Sequence, residues 1–161
     1  MAAVEDEIAQ AYAAHGESLD LLAAVDRILV SGDVSEARGA FERAGARDFL
    51  GLEIDAIPLY REALDKGLTE PERLRCLVQL GSSLRNVGDT EDAVRVLRTA
   101  RGEARADQEE WVDAFLALAL SSHGQPSQAL SVALGALAPH LTQYGPAVSR
   151  YAEELSQRGA R

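Results

Sequence analysis

Apolar residues recur along this chain at three- and four-residue intervals, in runs several turns long, and Gly, Pro, Asp and Ser collect between the runs. That period belongs to helices with one buried face. It predicts helices near residues 34–50, 53–66, 70–87, 90–104, 108–123 and 126–138, with two before them near 3–15 and 18–31 and one after them near 146–157. Start signals fit these spans. Asp33-Val-Ser-Glu36, Thr69-Glu-Pro-Glu72 and Asp107-Gln-Glu-Glu110 have capping-box spacing. Ser18 and Asp89 are placed to cap the helices that follow them, and Pro126 fits a first turn, where no N–H is needed. Pro58 falls past the first turn of its helix and is expected to perturb it locally.

The runs are also self-similar. Gly51, Gly88 and Gly124 stand 37 and 36 residues apart, each after an apolar run, where a helix ends most easily on a residue without a Cβ. Five residues beyond each lies an alanine: Ala56, Ala93, Ala129. Four and seven residues beyond these come Tyr60 and Ala63, Leu97 and Ala100, Ala133 and Ala136. Seven residues before each glycine sits a small residue: Ala44, Gly81, Ala117. The reading is a helix, a tight turn and a second helix, three times over. Small residues mark the close crossing of each pair, and a stripe on each second helix faces the next layer.

These positions resemble the tetratricopeptide repeat, with Leu80-Gly81-Ser-Ser-Leu84, Gly88, Ala93, Leu97 and Ala100 as the closest copy. Ala40-Phe-Glu-Arg-Ala, Ile57-Pro-Leu-Tyr-Arg-Glu-Ala-Leu and Phe115-Leu-Ala-Leu-Ala narrow the likeness to short stand-alone bacterial members of that family. The resemblance implies an all-α fold, a right-handed superhelical array of antiparallel helix pairs with N- and C-terminal capping helices. It implies a single domain over 1–161: N-terminal helices over 1–32, about three repeats over 33–140, and a C-terminal capping helix over 141–161. The apolar stretch Leu21–Val30 and the stripe Val148, Tyr151, Ala152 and Leu155 are the expected covers.

The resemblance further implies a concave groove lined by the first helices, of the kind that takes peptides or partner helices. By helical phase the first unit contributes Arg38, Phe41, Asp48 and Phe49, and the second Arg75, Val78, Ser82, Arg85 and Asn86. The third contributes Trp111, Ala114, Leu118 and Ser122. Arg75, Arg85 and Asn86 are expected to form a donor cluster suited to a carboxylate or backbone carbonyls. Each has a plainer reading: Phe41 and Phe49 as core, Arg85 paired with Asp89, Trp111 packed on the preceding layer. The carboxylate clamp of chaperone-binding family members is not carried over, because Ser82 stands where its Asn belongs and its Lys residues are missing.

Composition sharpens this. Apolar residues make up 47% of the 161 and aromatics 5%, so Leu, Ala and Val do most of the packing. The net charge of −10 repels phosphate backbones and acidic membrane surfaces, arguing against both as partners. A single cysteine, Cys76, rules out an intramolecular disulfide and reads as a small buried hydrophobe. The start Met1-Ala-Ala-Val-Glu-Asp-Glu lacks the features of a signal peptide, and no apolar run is long enough to span a bilayer, so a cytoplasmic protein is expected.

No chemistry-bearing constellation emerges. His15, His123 and His140 have no metal-ligand spacing; the first two precede glycines and suit helix C-termini. No phosphate-cradling loop or nucleophile elbow is present, and Glu5-Asp-Glu, Glu109-Glu and Glu153-Glu read as solvated helix ends. No catalytic residue, cofactor or metal is expected. The reading is a non-catalytic scaffold that binds a protein or peptide. The alternatives are a protein that self-associates, as a homodimer, through terminal helices such as Leu21–Val30, and a small-molecule-binding accessory protein.

Overall fold

Each predicted pair is joined by the same turn. In a computed structural model that describes residues 2–159, α3 (Glu36–Phe49), α5 (Glu72–Asn86) and α7 (Glu109–Ser122) all give way to a left-handed glycine: Gly51, Gly88 and Gly124, with φ of 71°, 91° and 79°. Each glycine N–H returns to the carbonyl three residues back, and the next N–H to the carbonyl five back. The latter bonds run Leu52 to Arg47 at 2.9 Å, Asp89 to Leu84 at 2.9 Å and Gln125 to Leu120 at 2.9 Å. This is the paired closure that satisfies the last carbonyls of a helix. After the turns come α4 (Glu53–Asp65), α6 (Thr90–Glu103) and α8 (Pro126–Leu137).

Two compact units divide the chain, Met1–Ser83 and Leu84–Arg161, the boundary falling inside α5. The first unit opens with α1 (Ala2–His15) and α2 (Asp20–Ser31). These form a further glycine-turned pair with a different closure, the Gly16 N–H returning to the Tyr12 carbonyl four residues back at 3.0 Å. Gly16 follows α1 with φ 51°, 35 residues before Gly51, and Leu21 and Val25 are buried where the later copies bury Ala56 and Tyr60. The small residue that marks the other crossings is Leu21 here, so the pair lacked the repeat's signature. Leu21, Ala24, Val25 and Leu29 close a core with Ile8, Ala11 and Ala46. The expected cover Leu21–Val30 is therefore largely spent inside its own unit, with Ala23, Arg27 and Val30 facing out.

In the second unit α8 leads through a 3₁₀ turn at Ala138–His140 to α9 (Gly145–Gly159). Ser131 on α8 donates to the Ala152 carbonyl at 2.6 Å. Ala152 is buried and Val148 and Leu155 are half-buried, but Tyr151 turns outward from the expected stripe. Ala133 is a second departure. Its counterparts Tyr60 and Leu97 are fully buried under a following layer, whereas Ala133 is exposed, because α9 meets α8 on the Ser131 side.

The caps are mostly other residues than the spacing suggested. Ser35, not Asp33, caps α3 by accepting from the Arg38 N–H at 3.2 Å. At α5 the Thr69 backbone carbonyl, rather than its side chain, takes the Arg73 N–H at 3.0 Å. The N-cap of α7 is Gln108, with no side-chain bond; its amide turns back to the Arg105 N–H. Asp89 does cap α6, through the Asp92 N–H, and Ser18 accepts from the Asp20 N–H. Pro58 lies inside α4 without ending it; the Ile54 carbonyl that loses its N–H partner there belongs to an exposed residue.

Candidate functional site

The projected groove residues divide between the units. In the first, Arg38 and Asp48 of α3 are half-buried and already bonded. The Arg38 guanidinium meets Glu42 one turn along at 2.5 Å, Glu72 on α5 at 2.6 Å and Glu5 on α1 at 3.6 Å. Burial by itself would lower Arg38, but Glu42, Glu72 and Glu5 more than offset it and hold it above its ordinary range. Burial pushes the Glu42 carboxyl up; Arg38 opposes this, and Glu72 and Glu5 add to it. Arg38 is thus the hub of a carboxylate network, not a donor held open for a partner.

Asp48 is likewise taken. It accepts from the Tyr60 hydroxyl at 3.1 Å and from Ser83 Oγ at 2.8 Å, tying α3 to α4 and α5. Burial raises its carboxyl above the ordinary value, against the two hydrogen bonds. Phe41 is buried, as its core reading had it, but Phe49 is half exposed and stacks edge-on against Tyr12 of α1, centroids 5.2 Å apart. Gly45 lies beside it: a Cβ there would meet the Tyr12 hydroxyl oxygen at 3.4 Å, an ordinary contact.

On α5, Val78 is buried and drops out of the projected surface. Arg75 is exposed and Ser82 half-buried in the first unit; Arg85 and Asn86 belong to the second. Arg85 donates to the Asn86 amide oxygen at 2.9 Å rather than to Asp89.

The projected residues of α7 lie in the second unit. Trp111, Ala114, Leu118 and Ser122 are all exposed, while Val112, Leu116, Ala119 and Leu120 are buried on the opposite arc. Leu118 is 51% exposed and Trp111 36%. Trp111 lies at the edge of the helix's packing, leaving a third of its surface uncovered.

Two arrangements were missed. The i, i+4 pairing of Arg38 with Glu42 was legible in the sequence, but Glu5 and Glu72 reach the same guanidinium only through packing. The second is a cavity of about 550 Å³ in the first unit, walled by the start of α1, the approach to α3 and the turn after α4. Arg38 and Lys66 line it together with Glu5 and Glu72.

Cys76, His123 and His140 have structural partners. Cys76 is buried, its Sγ donating to the Tyr60 carbonyl at 3.5 Å, and burial pushes its thiol up to about 12. His123 Nδ1 meets Thr90 Oγ1 at 3.0 Å, and His140 meets Glu110 at 2.9 Å. Among the described residues no three His, Cys, Asp or Glu side chains gather as for a metal, and no helix is long and apolar enough to cross a membrane.

Comparison with known proteins adds one finding. A family model described as tetratrico peptide repeat matches residues 37–155. No curated protein and no solved structure matches. The match begins one residue into α3 and ends within α9, so it takes in all three glycine-turned pairs and omits only the pair whose crossing residue is Leu21. Together with the recurring closure at Gly51, Gly88 and Gly124, this places the chain in the tetratricopeptide-repeat family.

Proposed function

We propose that this protein is a non-catalytic scaffold that binds a protein or peptide, with the outer arc of α7 as a principal contact. Members of the family generally serve as protein-interaction modules. The observation that carries the reading is the pairing of an exposed Leu118 and a partly exposed Trp111 on one face of a helix that buries Val112, Leu116, Ala117, Ala119 and Leu120. Trp anchors dominate protein interfaces, and apolar side chains left in one exposed row suit the ridge of a partner helix or an extended chain. Asn86 and Arg85 supply polar groups in the same unit, and Arg75 and Ser82 in the other.

The net charge of −10 favours a partner that is neutral or basic and disfavours nucleic acid. A cytoplasmic setting suits a lone, buried, high-pKa thiol. The reading is tested by selecting peptides from a displayed library on the wild-type chain and re-testing them on Leu118→Glu and Trp111→Ala. Binding should fall at least tenfold while the thermal midpoint stays put; peptides that bind both variants as tightly as wild type exclude the α7 face. Self-association keeps one specific support, the exposed Leu130, Leu137 and Tyr151 on α8 and α9. Light scattering that gives a monomer at micromolar concentration removes it.

A further inference from the structure

The cavity of the first unit has two kinds of wall. One is apolar, from Val34, Ala37 and Leu68, with Val4 at the edge. The other is charged, with Arg38 and Lys66 against Glu5, Asp33, Glu36 and Glu72, so that carboxylates outnumber cations by two. Both cations are engaged: Arg38 as described, and Lys66 by Glu36 at 2.8 Å and Glu62 at 2.9 Å. Asp33, by contrast, has no basic partner among the described residues, and Glu5 stands at the long end of its contact with Arg38, 3.6 Å away on an exposed side chain.

An anion entering this space meets the surplus of carboxylates and finds both cations already bonded. A cation meets the opposite: an Asp33 carboxylate that no base among the described residues holds and a Glu5 held only at 3.6 Å, with apolar surface in the same wall. The volume lies within the range of small-ligand sites, where an apolar lining supplies affinity and a few charged groups fix orientation. A charged head on an aliphatic stem divides itself in the same way, stem on carbon and head toward carboxylate.

We propose that this cavity binds a primary ammonium carried on a short alkyl chain, its stem against Val34, Ala37 and Leu68 and its head between Asp33 and Glu5. Two sources offer that group, a free alkyl diamine and the lysine side chain of a partner polypeptide. The site is independent of the α7 reading, because its lining lies wholly within Met1–Ser83.

The test is a methyl-resolved NMR titration of the full chain, first with 1,5-diaminopentane and separately with the capped tripeptide acetyl-Gly-Lys-Gly-amide. Saturating shifts confined to the Val34 and Leu68 methyls are expected with at least one probe. A response to the diamine alone assigns a free amine, and a response to the peptide assigns a lysine side chain. Glu5→Gln with Asp33→Asn, both on exposed side chains, should weaken binding at least tenfold while the amide shifts outside the cavity stay unchanged. The proposal is overturned if neither probe saturates, if the double variant binds as tightly as wild type, or if acetate moves the same methyls.

Discussion

The Tyr60 hydroxyl on α4 donates to the Asp48 carboxylate on α3 across 3.1 Å, and Ser83 on α5 donates to the other oxygen of the same carboxylate at 2.8 Å. One half-buried acid thus fastens three successive helices of the first unit. Tyr60 is fully buried, so its hydroxyl has no water to turn to if Asp48 is removed. Tyr60→Phe keeps the ring and loses only the bond. A hydrogen bond to a charged acceptor contributes about 1.5 kcal/mol or somewhat more, and urea unfolding of Tyr60→Phe should show a loss of that order. A variant as stable as wild type would mean that Asp48 is held by Ser83 alone.

The same carboxylate sets a pH dependence. Burial raises Asp48 above its ordinary value of 3.8, so the folded state holds its proton more firmly than the unfolded state does. A raised pKa contributes stability that is fully present below the unfolded value and lost as pH rises through the folded one. Asp48→Asn removes that contribution. Its stability deficit relative to wild type should therefore be greatest at acid pH and narrow as pH climbs out of the carboxylate range. Paired urea titrations at several pH values measure it; a deficit that widens with pH contradicts the assignment of burial as the dominant cause.

Along α7, neighbouring leucines should behave in opposite ways. Leu120 is 2% exposed and Leu118 51% exposed, two residues apart on one helix. Leu120→Ala should cost about 2–5 kcal/mol through lost burial and the cavity it leaves. Leu118→Ser, on the open arc, should change stability by no more than about 0.5 kcal/mol. Denaturant midpoints of the two variants decide the matter, and comparable losses would show that α7 is covered on both arcs.

Two glycines of the second unit should likewise respond with opposite sign to alanine. Gly124 sits at φ 79°, where a Cβ is strained although space around it is open; Gly124→Ala should destabilise by about 1–2 kcal/mol. Gly135 lies within α8 with nothing within 4 Å of an added Cβ. There alanine should stabilise by about 0.5–1 kcal/mol, because it narrows the unfolded ensemble and favours the helix. Thermal melts of the pair are sufficient: a shift of the same sign in both would remove the left-handed turn as the reason for Gly124.

Local pairing along the chain was open to reading because its causes are local. A left-handed turn needs glycine, a close crossing needs Ala or Gly, and a buried face needs a helical period, so Gly51, Gly88, Gly124 and their alanines announced the helix pairs and the family. Where a larger residue does the same work, as Leu21 does after Gly16, the signature vanished and the pair read only as two terminal helices. Helical phase alone placed Arg38, Asp48 and Val78 on an open surface. It could not do otherwise, since phase gives the direction of a side chain but not what stands in that direction. Packing decided the rest. Glu5 and Glu72 come to Arg38 from helices 33 and 34 residues away in the sequence, and Ser83 comes to Asp48 from 35. Tertiary structure spent those groups on one another, left Leu118 and part of Trp111 uncovered, and formed between the ends of α1, α3, α4 and α5 a cavity that no single segment encodes.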